Sequence, residues 1–244
     1  MVTRKLARAE DDGYRNPLVP GLKATADAER LAAALAWSAE RLRPPGPYQP
    51  LTEIDDTDDA LWLAFLLALV GPDAVERQAT LVEERPPWTA AAPAILTSSE
   101  SKTAAAFRAW AARSGTPAAA FEGEPAWDAE RRFARLFERL ALPGFSRAQR
   151  YELLCAVGAA ELYPLTADAL RVDGDDDPAT LAAKRLLVSG DRMLLERRAR
   201  DLVSACDVPI AALDRALVLW AAPATPVPSV DEVPAPIRRA LRLP

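Results

Sequence analysis

No segment of this chain alternates apolar and polar residues with period two, and that constrains its fold more than any other feature. A half-buried strand needs that alternation, so a sheet has nothing to be built from. Apolar residues instead recur at helical spacing, in runs closed by proline and glycine. Phe133, Leu136, Phe137 and Leu140 fall at i, i+3, i+4 and i+7 and make one apolar face, while Arg131, Arg135 and Arg139 fall on the other. The pattern predicts an all-α fold.

The same punctuation places the elements. An amphipathic helix is expected over residues 27–43, stopped by the Pro/Gly run at 44–47. A buried helix capped by Thr57 or Asp58 should run to Val70, where Gly71-Pro72 closes it. Asp73 with Glu76 suggests a short helix with a capping box, residues 98–113 a further helix, and 115–125 a loop. Residues 147–157 form the next helix, with Ser146 as N-cap and Gln149 three residues on, the capping-box spacing. Asp177 followed by Pro178 marks another N-terminus. Asp207-Val208-Pro209 starts a helix whose Ile210, Leu213, Leu217 and Trp220 share a core face. The prolines from 223 to 236 suggest a linker or a strapped tail.

Composition narrows the chemistry. Of 244 residues half are apolar, enough for a sizeable core, and none is histidine. Histidine triads, imidazole metal sites and the usual neutral-pH proton shuttle are therefore excluded. The two cysteines, Cys155 and Cys206, lack a metal-ligand spacing and suit a reducing compartment. No apolar segment follows the charged N-terminus, and the longest apolar run, 60–70, falls far short of the ~20 residues that span a bilayer. A soluble cytoplasmic protein is the expectation. The net charge of −5 hides an asymmetry: residues 51–59 hold Glu53, Asp55, Asp56, Asp58 and Asp59 with no cation. Residues 131–150 hold six arginines against Glu138, and 184–200 hold six cations against Asp191 and Glu196. A polyanion responds to such local fields rather than to the average.

Two places gather groups able to act. At Leu142-Pro143-Gly144-Phe145-Ser146 a tight turn joins two helices, and the second helix N-terminus carries Arg147 and Arg150 in its first turn. Unpaired N–H groups there, with those arginines, suit a phosphate, although an ordinary helix turn with solvated arginines has the same sequence. At Val172-Asp173-Gly174-Asp175-Asp176-Asp177 a carboxylate stands at a helix start. The glycine position and the missing terminal Glu do not match a calcium loop, and a solvated turn with one helix cap is the plain alternative.

Taken together, residues 126–220 resemble the helix-hairpin-helix DNA glycosylase superfamily, and especially its divergent branch of alpha-glutamyl/putrescinyl thymine pyrophosphorylases. The family's Leu-Pro-Gly-x-Gly hairpin is similar to 142–146, with Ser146 in place of the second glycine. The resemblance implies two helical lobes, with 1–125 as the N-terminal lobe, 126–220 as the helix-hairpin-helix lobe and 221–244 as a Pro-rich tail. It implies DNA contacts from Gly144, Ser146, Arg147, Arg150, Lys184 and Arg185, and a catalytic carboxylate from Asp177 or, in the other register, Asp173. Ala148 stands where bifunctional members carry a Schiff-base lysine, so the implied activity is monofunctional hydrolysis of an N-glycosidic bond to a damaged or modified base. Two cysteines cannot hold an iron–sulfur cluster; no cofactor and no metal is implied. Duplex DNA with a flipped base is the implied partner of a monomer, with Tyr151, Trp127 or Trp62 available to stack on that base. A non-catalytic DNA-binding or nucleotide-acting relative, and an all-α interaction module, remain alternative readings.

Overall fold

The computed structural model describes residues 10–44, 48–174, 176–222 and 225–244. Among them are twelve helices and no strand. No helix of the described residues is long and apolar enough to cross a membrane. Residues 1–9, 45–47, Asp175 and residues 223–224 lie outside this set, and with them the sequence features read there.

The chain divides into two compact units, one formed by residues 43–167 and the other by 1–42 together with 168–244. This partition differs from the expected lobes at 1–125 and 126–220. Its cause is α1 (Thr25–Arg41), which packs along α11 (Ile210–Ala221) from the far end of the chain. Leu31 and Leu35 of α1 and Leu213 and Leu217 of α11 are fully buried. The Arg30 guanidinium fastens the pair, donating to the carbonyls of Leu219 and Trp220 in the last turn of α11 and of Ala222 and Thr225 just past it. The Trp220 carbonyl is one that a helix C-terminus leaves without an intrahelical donor.

α9 (Pro178–Leu187), α10 (Arg192–Cys206) and α12 (Ala235–Ala240) complete the discontinuous unit. The tail is strapped down: Ile237 and Leu241 are fully buried. Tyr14 Oη donates to the Leu241 carbonyl at 2.5 Å and Asn16 Nδ2 to that of Ala240 at 2.8 Å. Gly21 lies against the Arg185 and Leu186 carbonyls, where a Cβ has no room, and its N–H donates to Leu186 at 2.9 Å.

The continuous unit holds α2 (Gln49–Thr52), α3 (Thr57–Val70), α4 (Val75–Glu84), α5 (Ser98–Ala112), α6 (Pro117–Glu122), α7 (Ala129–Arg139) and α8 (Arg147–Ala159). α3 is apolar all round and runs through the core, with Trp62, Phe65 and Leu66 at zero exposure. Phe65 stacks on Phe107 with centroids 4.1 Å apart and meets Phe145 at a tilt, 5.1 Å away. Three local expectations need correcting. The cap of α3 is Asp56, which accepts from the Asp59 N–H at 3.0 Å, and not Thr57 or Asp58. α4 starts at Val75 after Ala74 with no side-chain cap, so there is no capping box at 73–76. The expected loop at 115–125 contains α6, because Thr116 caps it and Pro117 opens it with a preset φ.

Candidate functional site

The turn between α7 and α8 is built as the sequence predicts. Phe145 N–H closes it onto the Leu142 carbonyl at 3.0 Å. Gly144 takes a φ of +76° there, and a Cβ would strike Thr103 Oγ1, so both backbone and space require glycine. Ser146 caps α8 reciprocally with Gln149: its Oγ accepts from the Gln149 N–H at 3.2 Å and its own N–H donates to Gln149 Oε1 at 2.8 Å. Gln149 Nε2 reaches on to the Leu69 carbonyl at 2.7 Å, tying the turn to the last turn of α3. Gly144 and Ser146 are exposed; Phe145 is a core residue.

The two arginines of that first turn pack against aromatic rings. Arg147 is buried at 5% exposure, with its guanidinium 4.9 Å from the Tyr151 ring centroid. Arg150 lies flat on Phe137 at 4.4 Å and donates to the Phe137 carbonyl at 3.2 Å, near the end of α7. Both long apolar stems are packed, and Arg150 compensates carbonyls at a helix C-terminus. Arg150 thereby ties α8 to α7, while the Arg147 contact with Tyr151 lies within α8. Arg131, Arg135 and Arg139 do face solvent, beside a cavity of about 480 Å³ that includes Trp127 and Glu138. Of the aromatic candidates, Trp62 and Tyr151 are core and only Trp127 reaches a cavity.

The acidic loop belongs to the other unit. Asp177 caps α9, accepting from the Thr180 N–H at 2.7 Å, with Pro178 at the first helical position. Asp177 is 9% exposed as a whole residue. Thr180 joins the rivals: its Oγ1 accepts from the Asp173 N–H at 3.1 Å and donates to the Asp173 carbonyl at 3.3 Å. Asp173 is exposed and lines a cavity of about 320 Å³ with Gly174, Thr180, Lys184 and Arg192. Arg185 sits in the same last turn of α9 as Lys184 but does not line that cavity.

One residue that sets this loop has no local sequence signal. Glu196 of α10 is buried, and its two carboxylate oxygens accept from the Leu170 N–H at 2.8 Å and the Val172 N–H at 3.1 Å. A left-handed φ of +56° at Arg171, which is ion-paired to Asp168, turns both amides toward it. The connector into Asp173 is thereby fixed by two charge-assisted bonds. Among the described residues no cluster of three or more acidic or cysteine side chains is arranged to hold a metal ion.

Comparison of the chain with protein-family models, with curated proteins and with solved structures finds no match in any of the three.

Proposed function

We propose that this chain is a monofunctional DNA N-glycosylase acting on a damaged or modified base. The observation that carries the reading is the acidic loop. Asp177 is a carboxylate held rigidly at a helix start, and Thr180 couples it to Asp173, which opens on a cavity shared with Lys184 and Arg192. The capped turn at 140–146 and the resemblance of residues 126–220 to helix-hairpin-helix glycosylases support it.

A target nucleotide flipped out of the stack presents its sugar to these groups. Asp177, withdrawn from water and fixed by the Thr180 N–H, stabilises positive charge as the C1′–N bond lengthens. A fixed charge in a poorly solvated site acts more strongly than one screened by solvent. Asp173, which solvent reaches, orients the water whose oxygen bonds to C1′. The base leaves with the bonding electron pair and takes up a proton. Lys184 and Arg192 attract the flanking phosphates.

Base release from genomic DNAs of differing modification, measured for wild type, Asp177→Asn and Asp173→Asn, tests this. Asn caps a helix about as well as Asp, so Asp177→Asn should keep the fold and lose base release. Loss in Asp173→Asn alone would move the carboxylate to Asp173. Full activity in both variants would overturn the mechanism. Helix capping alone accounts for the bond between Asp177 and the Thr180 N–H, and this favours a non-catalytic DNA-binding relative as the second reading. Salt-dependent DNA binding with no base release on any substrate would establish it.

A further inference from the structure

Arg147 is buried and Arg150 is half-buried against Phe137, whereas α10 carries an outward set of cations. Arg192, Met193, Arg197 and Arg200 are exposed and lie along one side of the helix, the arginines spaced five and three residues apart. With Arg171 and Glu196 they line a cavity of about 750 Å³. Three carboxylates share that cavity and each is already engaged: Asp168 by Arg171, Asp191 by the Leu194 N–H at 2.7 Å, and Glu196 by the Leu170 and Val172 N–H groups. Among the described residues none of Arg192, Arg197 and Arg200 has an ion-pair or hydrogen-bond partner. Four arginines against three carboxylates leave this lining with one net positive charge, and the three α10 guanidinium groups without a partner are its outward part.

Arg192 also lines the smaller cavity of Asp173 and Lys184, within the same unit. The row is therefore continuous with the carboxylate loop. From Arg192 to Arg200 the helix rises about 12 Å, over which one strand of duplex DNA carries roughly three to four phosphates. The trio on α7 is a weaker candidate, because Arg135 is paired with Glu138 at 3.3 Å and Glu124 faces the same cavity.

We infer that the Arg192–Arg197–Arg200 face of α10 binds the sugar–phosphate backbone of duplex DNA and seats the strand beside the Asp173–Asp177 loop. This rests on the glycosylase reading and adds to it the surface that holds the substrate. Phosphate contacts of this kind fix position without reading sequence.

The test is duplex binding against salt for wild type, for Arg192→Ala/Arg197→Ala/Arg200→Ala, and for Arg131→Ala/Arg135→Ala/Arg139→Ala, which has the same net charge change. The α10 triple should bind at least about tenfold more weakly near 100 mM salt, and its log–log salt slope should fall by about three. The α7 triple should keep a slope within about one of wild type. Equal losses in both triples would reduce the effect to net charge and overturn the inference. Wild-type binding by the α10 triple, with base release intact in the parent, would overturn it while sparing the glycosylase reading. A parent that neither binds duplex DNA nor releases any base would bring down that reading, and this inference with it. Should circular dichroism show that the α10 triple has lost helix, the single Arg197→Gln and Arg200→Gln variants decide, each expected to take about one off the slope.

Discussion

Gly144→Ala isolates the turn between α7 and α8, and its cost can be worked from two separable contributions. At φ +76° an alanine Cβ crowds its own backbone, which costs roughly 1–2 kcal/mol. The same Cβ runs into Thr103 Oγ1, which in turn bonds the Ser99 carbonyl at 3.3 Å. Moving Thr103 aside breaks that bond in a buried setting, for about 0.5–1.5 kcal/mol more. The sum is on the order of 2–3 kcal/mol, a urea midpoint lower by about 1 M at an m-value of ~2–3 kcal/mol/M. Tryptophan fluorescence is the suitable probe, since Trp62, Trp88, Trp110 and Trp127 all lie in the unit that holds the turn. In a Thr103→Ala background the collision is gone and only the backbone contribution remains, so Gly144→Ala should then cost roughly 1 kcal/mol less. A midpoint within ~0.2 M of wild type, or an equal cost in both backgrounds, would refute this account of the turn.

Arg150→Ala should lower stability by about 1–3 kcal/mol through the lost Phe137 contacts, read by the same urea titration. Duplex binding should change little beside it, the reverse of what an outward phosphate contact would give. Glu196→Gln puts an amide NH₂ against one of two backbone N–H groups, and should cost about 1–3 kcal/mol with faster hydrogen exchange at Leu170 and Val172. Burial pushes the Cys206 thiol up to about 12, so at pH 8.5 an alkylating reagent should label the half-buried Cys155 first and reach Cys206 only on unfolding. The folded chain holds the Cys206 proton more tightly than the unfolded one. That contribution is intact below the ordinary thiol value of about 8.5 and is lost as pH rises from there toward 12.

What could be read in advance was what local rules decide. The Ser146–Gln149 box, the Asp177 cap and the two faces of α7 each follow from residues within one or two turns, and each is present. α6 carried a legible signal in Thr116-Pro117, outweighed by the glycines at 115 and 123. The fate of Arg147 and Arg150 was not legible, because one first-turn pattern serves an arginine packed on an aromatic ring and one facing solvent. Glu196 looked like an ordinary acid among arginines; its two amide partners lie more than twenty residues earlier. The unit boundaries depend on α1 meeting α11, a pairing that no local pattern encodes.

That pairing has a consequence during synthesis. α1 leaves the ribosome early, yet the helix that covers its Leu31 and Leu35 is made only after the whole of residues 43–167. At roughly 5–20 residues per second this is a wait on the order of ten seconds or more. Through that interval an amphipathic helix stands with its apolar stripe uncovered while the continuous unit behind it has everything it needs to fold. The nascent chain then carries a sticky helix ahead of residues 43–167, which is the stretch a holding chaperone would be expected to engage.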